Sequence, residues 1–375
     1  MKRIVSLSTD SGKKVGSFGD FGCFSFHGAK IGNKKRNFEN MILVTGGTGL
    51  VGAHLLFSLC EDRQLCRAIY RDVKGLEAVK KLFISYGDLN LARYKTIEWV
   101  LGDILDLEGL SFAFKEVNTV YHCAAHISFD PSAYKTLKSV NVIGTANMVN
   151  LALDFKVGAF CYVSSIAALG KSDTQKHITE ETDWNISDPN VYALTKYEAE
   201  LEVWRGIWEG LSASIVNPGV ILGPGFWKKG SGKLFSFAQK GSPFYFPGGS
   251  GFVGVKDVVN AMLLSVKTKK WGERFICVSE NISYQELFGY MADGFRLKKP
   301  TYKLPFWVLE ILWRLDFIKG LFFKGDRKIT KHTLKGLRSR DFYDSSKSSQ
   351  KLNMEYTPIK KVIAECCILF KNNIP

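Results

Sequence analysis

Met41-Ile-Leu-Val-Thr-Gly-Gly-Thr-Gly-Leu-Val-Gly52 decides how the rest of this chain is read. Ile42 to Val44 is a short apolar run that predicts a buried strand, and a glycine-rich turn comes directly after it. Leu50, Val51, Ala53, Leu55, Leu56 and Leu59 then recur at helical spacing. Gly47-x-Gly49-x-x-Gly52 satisfies the G-x-G-x-x-G pattern between a strand and a helix. Small residues let the backbone turn sharply and approach a pyrophosphate, and the helix start offers free N–H groups with a partial positive charge. The same spacing also describes a plain tight turn, so its meaning depends on the residues downstream.

Downstream of this turn, strands and helices alternate. Leu65–Tyr70, Ile97–Leu101, Val117–Cys123, Phe160–Ser164 and Ala213–Val216 read as strands. Helices are expected over Val73–Tyr86, Ser132 to about Phe155, and Asn190–Glu209. That rhythm predicts a doubly wound α/β fold of the Rossmann type: a parallel sheet with ligands at the carboxyl ends of its strands. From about Gly223 the alternation breaks into glycine, proline and aromatic residues, with a helix starting at Val255 and a short strand at Phe275–Val278. The expected division is a dinucleotide-binding domain over 41–222 and a smaller α/β substrate-binding region over 223–375, some of whose segments return to the first. Leu304–Phe323 reads as an amphipathic helix pair packed on that region, with contact to a membrane surface the less favoured reading.

Bulk properties narrow the function. The 375 residues carry a net charge of +15, and Arg296–Pro375 alone holds 18 Lys and Arg against 7 Asp and Glu. Such a balance favours anionic partners such as a phosphorylated cofactor, but no nucleic-acid recognition motif accompanies it, so no nucleic acid is expected. Eight cysteines are scattered without C-x-x-C or cysteine–histidine metal spacing. No metal is expected, and reduced thiols with no secretory signal point to a cytoplasmic protein.

Arg71 stands where the second strand ends, with Asp72 next. An acidic residue at that place binds an adenosine ribose hydroxyl, and an arginine accommodates a 2′-phosphate, so NADP(H) is favoured over NAD(H). Asp103 comes after the third strand, where an adenine could be held, though a turn or helix cap uses aspartate equally well. Cys123, Ala124 and Ala125 are small enough to let backbone approach a cofactor after the fourth strand. Tyr192-x-x-x-Lys196 sets a phenol and an ammonium on one helix face. A nearby ammonium favours the phenolate, which would suit Tyr192 for proton transfer. Alone, this pair also describes an ordinary surface helix. It gains meaning because it comes after a strand ending in Ser164-Ser165.

Taken together, Thr45–Gly52, Gly102-Asp103, His122-Cys-Ala-Ala125, Asn141-Val-Ile-Gly-Thr145, Val163-Ser-Ser165, Tyr192-x-x-x-Lys196 and Asn217-Pro-Gly219 resemble the extended short-chain dehydrogenase/reductase family, also called the NAD-dependent epimerase/dehydratase family. The resemblance spans Met41 to about Lys267 and implies an NAD(P)-dependent enzyme. It implies Tyr192 as acid/base, Lys196 as its modulator and ribose ligand, Ser165 (five residues before Gly170) as donor to the substrate oxygen, and Asn141 as a relay residue. The cofactor would be held by Gly46, Gly47, Thr48, Gly49, Leu50, Val51, Gly52, Arg71, Asp103, Ile104, Cys123, Ala124, Ala125, Tyr192, Lys196 and Pro218. Ile166-Ala-Ala168 lacks the acidic pair of the sugar-nucleotide dehydratases, and Arg71 counts against a nucleotide-sugar epimerase, which stays as the alternative. The chain is most similar to the dihydroflavonol-reductase and 3β-hydroxysteroid-dehydrogenase-like members, which implies hydride transfer between nicotinamide and a carbonyl or secondary alcohol. Phe129, Ser165 and Phe226 are the substrate-side candidates, on a hydrophobic or ring-containing substrate. Family members often dimerise through two helices, here Ser132–Phe155 and Asn190–Glu209. A dinucleotide-binding sensor without catalysis is the reading from another class, and it would be expected to have lost Tyr192 or Lys196.

Residues 1–40 do not share this pattern. Gly12 to Lys30 resembles the segment around the cofactor lysine of pyridoxal-phosphate sugar aminotransferases, with Lys30 at the Schiff-base position. The rest of such an enzyme is absent, so no functional pyridoxal phosphate is expected, and the segment reads as a poorly ordered extension.

Overall fold

All five residues of β1 (Met41–Thr45) are buried, as a strand covered on both faces requires. The structure is a computed structural model that describes residues 41–171, 177–305, 307–311, 313–314 and 331–372; the aminotransferase-like stretch and most of Leu304–Phe323 lie outside them. From β1 the chain continues through α1 (Leu50–Glu61), β2 (Cys66–Tyr70), α2 (Val73–Ser85), the short α3 (Asn90–Tyr94), β3 (Glu98–Leu101), α4 (Leu107–Ala113) and β4 (Val117–His122). Next come α5 (Tyr134–Leu137), α6 (Gly144–Asp154), β5 (Ala159–Val163), α7 (Val191–Trp208) and β6 (Ala213–Pro218). The later part adds β7 (Val220–Leu222), α8 (Gly232–Ala238), β8 (Phe244–Tyr245), β9 (Gly249–Gly254), α9 (Val255–Lys267), β10 (Glu273–Cys277), β11 (Glu280–Ser283), α10 (Tyr284–Phe295) and β12 (Tyr302–Lys303). A last helix covers Ile359–Asn372.

Among the described residues the main sheet has seven strands in the order β10-β6-β5-β4-β1-β2-β3, and every neighbouring pair is parallel. This is the doubly wound α/β sheet read from the sequence. Strand order reverses beside β1, which pairs β2 on one side and β4 on the other, and a crevice at that reversal is where such sheets take ligands. The pleat of β1 explains the two faces. Ile42 and Val44 join Leu55, Leu56 and Leu59 of α1 and Val258 and Met262 of α9. Leu43 points the other way, toward Met148 and Val149 of α6 and Val203 of α7. Each fully buried leucine contributes about 1.5–3 kcal/mol of transfer free energy.

One detail differs from the sequence reading. The expected helix Ser132–Phe155 is not one regular α-helix: α5 and α6 are joined by a π-helical turn, Lys138–Ile143, that contains Asn141. The side chain of Asn141 is tied both to the loop after β4 and to α7. The expected late strand is β10, which lies far along the chain yet completes the sheet by pairing with β6, Cys277 opposite Pro218. A third apolar cluster is built only from residues after 220, including Leu222, Phe235, Phe252, Leu287, Met291 and Ile363. No helix among the described residues is long and apolar enough to cross a membrane.

Candidate active site

The glycine turn closes directly over the end of β1. Gly46 has φ +66, and a Cβ there would lie 2.6 Å from the backbone nitrogen of Ala124. Only glycine takes this conformation at no steric cost, so the turn and the loop after β4 touch backbone to backbone. A Cβ on Gly52 would strike the carbonyl of Gly46, which holds the start of α1 against the turn. The turn is closed by Gly49 N–H donating to Gly46 O at 2.9 Å. Gly49 precedes α1 with no side-chain cap, whereas Asp72 caps α2 and Asn190 caps α7 through their side chains. The first-turn N–H groups of α1 therefore lack a side-chain acceptor and suit a phosphate. This cradle of Cβ-free backbone fits a dinucleotide pyrophosphate. Thr48, Leu50 and Val51 belong to the same turn and first helical residues, and Leu50 and Val51 pack against the core beneath it.

At the far end of the crevice, Arg71 comes after β2 and Asp103 after β3. Their closest approach is 3.7 Å, with the side chains 63% and 39% exposed. Asp72 is occupied, accepting a hydrogen bond from Lys74 N–H at 3.0 Å. Asp103 also accepts from Leu105 N–H. Ile104 puts its side chain into the core against Gly144, and its carbonyl accepts from Asn147, so its side chain is structural. Ala124 and Cys123 sit over the glycine turn, with Cys123 N–H donating to Thr45 O and Ala124 N–H to Thr45 Oγ1, while Ala125 is exposed. Burial pushes the Cys123 thiol well above its usual range, so it is protonated. Pro218 is buried at the end of β6, opposite Cys277.

The chemistry-bearing residues converge from β5, α7 and the loop after β4. Tyr192 meets the ring of Phe129 edge-on at 5.6 Å. Burial raises the Tyr192 pKa, and the nearby Ser165 hydroxyl works against that rise. Ser165 also accepts from Ala167 N–H at 3.1 Å. Ser164 turns away and donates to Glu200 at 2.7 Å. Lys196 shares the helix face of Tyr192, but its ammonium turns to the neighbouring strand. Its ammonium is buried against β5, where it donates to the Tyr162 hydroxyl at 2.6 Å and to the Val163 carbonyl at 2.9 Å. Burial lowers the Lys196 pKa to about 7, partly offset by the Glu200 carboxylate. With the ammonium turned toward β5, the Tyr192 phenol is raised rather than lowered.

Asn141 is 1% exposed, and its amide is fully engaged. Its oxygen accepts from His126 N–H at 2.7 Å, and its nitrogen donates to His126 O and to Thr195 Oγ1. The side chain thus braces the loop that carries Phe129 against the helix that carries Tyr192. Phe226 does not face the crevice: it is 9% exposed and packs in the core with Leu82 and Val253. The adjacent Gly225 Cβ direction points at Leu82, which is why that turn is drawn into the core.

The sequence reading missed Glu200. It is 2% exposed and accepts from Ser164, from Asn217 at 2.8 Å and from Arg274 of β10 at 3.0 Å. Tyr192, Lys196 and Glu200 recur every four residues on α7, and that spacing was the available signal. Among the described residues there is no cluster of metal-ligating side chains.

Comparison with known proteins agrees with this geometry. The NAD-binding family model described as "Male sterility protein" matches residues 44–244. This chain belongs to that NAD-binding family. With it the chain falls among the extended short-chain dehydrogenase/reductases, a family of oxidoreductases, reductases, epimerases and dehydratases. Within the NAD-binding family, a Synechocystis protein provisionally named dihydroflavonol 4-reductase is 28% identical over 88% of this chain and 94% of its own length. Sterol demethylase protein B of Methylococcus capsulatus is 26% identical over 88% of this chain and 98% of its own length. The crystal structure of gox2253 superposes with a TM-score of 0.73 at 29% identity, covering 89% of this chain and 98% of that one.

Proposed function

We propose that the protein is an NADP(H)-dependent reductase that converts a carbonyl of a hydrophobic, ring-containing small molecule to a secondary alcohol. The observation that carries this reading is Tyr192, held between Ser165 and the edge of Phe129 with its phenol kept protonated by burial. A protonated phenol is the group a carbonyl needs as reduction makes its oxygen basic. Ser165 and Tyr192 both donate to that oxygen, and Tyr192 gives up its proton as the alcohol forms. Lys196, on the same helix, stabilises the phenolate left behind and hydrogen-bonds the nicotinamide ribose. A reduced nicotinamide supplies the hydride when bound.

The preference for NADP(H) rests on Arg71, whose exposed guanidinium has only a long contact to Asp103, and on Asp72, whose carboxylate is used to cap α2. The same commitment of Asp72 weakens the epimerase alternative. A sensor without catalysis is disfavoured by retention of both Tyr192 and Lys196. Residues 41–222 would hold the cofactor, and 223–375 most of the substrate. The exposed Ile143, Leu201 and Trp208 support a homodimer formed through α6 and α7. The free thiols of the described cysteines support a cytoplasmic setting. The direct test is NADPH oxidation against a panel of carbonyl compounds. Tyr192→Phe is expected to lower turnover by about 10²–10⁴-fold while NADPH binding stays within twofold; undiminished turnover would sink the reading.

A further inference from the structure

Behind the catalytic lysine lies a row of buried polar side chains that runs across the carboxyl ends of three adjacent strands. Lys196 Nζ donates to the Tyr162 hydroxyl at 2.6 Å and stands 4.3 Å from the centre of its ring. Thr145 of α6 lies near the Tyr162 hydroxyl and favours its ionised form against the burial that raises it. Thr145 Oγ1 is 3.0 Å from His122 Nε2 on β4, and His122 Nδ1 is 2.6 Å from Thr45 Oγ1 at the end of β1. The His122 ring stacks on Tyr162 at 5.4 Å. Thr45, His122 and Thr145 are 0% exposed, and Tyr162 and Lys196 are 1% exposed. Thr45 is the residue before Gly46, so the row ends at the glycine turn.

An ammonium can only donate, so the Tyr162 hydroxyl oxygen accepts from Lys196. Burial keeps His122 neutral, with its pKa lowered to about 3, so between the Thr145 and Thr45 hydroxyls it donates through one ring nitrogen and accepts at the other. A neutral Lys196 would lose its obligatory donation to Tyr162 and let the phenol turn its own proton toward Nζ.

We propose that Tyr162 is a positioning residue for Lys196: its hydroxyl, near Thr145 and on a ring stacked against His122, holds the lysine in its charged form against β5. The inference rests on the reading of Lys196 as the partner of Tyr192. The groups facing Lys196 are Tyr162 and Val163 on β5, Glu200 on its own helix, and Cys123 and His122 from β4 and the loop after it. Glu200 favours the ammonium, burial opposes it, and the Cys123 thiol and His122 are uncharged.

Tyr162→Phe removes the hydroxyl but keeps the ring that stacks on His122. Loss of one hydrogen bond to a charged group should lower the Lys196 pKa by about one pH unit. The measurement is the titration of lysine ¹³Cε signals by NMR in the protein without cofactor, with Lys196→Arg identifying the signal. Thr145→Val should move the titration the same way, by less. The alkaline limb of the kcat profile should shift by the same amount, with NADPH binding at pH 6 unchanged within twofold. A Lys196 titration that stays within about 0.3 pH unit of wild type in both variants overturns the proposal. So does a loss of turnover that is uniform across pH without that shift. A shifted titration in a protein that reduces no carbonyl would leave this inference standing and sink the reductase reading instead.

Discussion

Glu200→Ala removes the carboxylate on which α7, β5, β6 and β10 converge. Glu200 is 2% exposed, and it accepts from Ser164 at 2.7 Å, Asn217 at 2.8 Å and Arg274 at 3.0 Å. Breaking a buried ion pair from one side costs about 3–5 kcal/mol, because the other charge is left behind. Arg274 is 20% exposed on its side chain and still reaches the Glu180 carbonyl, so the lower end, about 3 kcal/mol, applies. The stranded donors of Ser164 and Asn217 add on the order of 1 kcal/mol together once water has partly filled the gap. A loss of about 4 kcal/mol in a chain of this size lowers the melting temperature by roughly 5 °C, from an unfolding entropy of about 2.1 cal/mol/K per residue. Glu200→Gln keeps an acceptor for Ser164 and Asn217 and is expected to lose about half as much. Calorimetry at low and high salt is the assay, since a buried pair is screened little and the loss should persist in salt. In a double-mutant cycle, Arg274→Met should recover part of the loss seen in Glu200→Ala. An alanine variant that melts within about 2 °C of wild type would refute the claim that this carboxylate carries the junction.

The same geometry sets three other outcomes. Gly46→Ala forces a Cβ to within 2.6 Å of the Ala124 nitrogen in a left-handed conformation; at about 1–2 kcal/mol for the conformation alone, NADPH affinity measured by fluorescence titration should fall at least tenfold. Arg71→Ala should weaken NADPH by about 10–100-fold and leave NADH nearly unchanged, read as the ratio of the two Kd values. Burial lowers His54 to about 4 and His122 to about 3, so the unfolded chain binds protons that the folded one refuses. Stability is therefore complete above pH 6.5 and is lost as pH falls toward 4, by on the order of 3 kcal/mol for each histidine; urea midpoints at pH 7 and 4.5 measure it, and His54→Gln should flatten the slope.

What the sequence made legible was whatever repeats locally. The apolar run and glycines of β1 and α1, the alternation of strands and helices after them and the four-residue spacing of Tyr192 and Lys196 each depend on near neighbours. The partners of those residues do not. Lys196 meets Tyr162 on β5, and Glu200 meets Arg274 on β10, across separations that no periodicity encodes. That is why the ammonium was expected beside Tyr192 and is found beneath β5. Phe226 failed for a related reason: an aromatic in a glycine-rich stretch suits a binding surface or a core, and only the packing of Leu82 and Val253 around it decides. Asp72 had two uses open to it, and the N–H of Lys74 took the carboxylate.

The late arrival of β10 bears on how this protein is made. Synthesis releases β6 at Pro218, but its outer neighbour begins only at Glu273. At ordinary elongation rates that interval lasts roughly 3–10 seconds. Throughout it, Ala-Ser-Ile-Val-Asn-Pro presents one unpaired edge with no charged residue to repel another strand. The nascent chain therefore passes through a stage at which its nearly finished sheet is open to capture by a chaperone or by a second nascent copy. Any truncation before Glu273 makes that stage permanent.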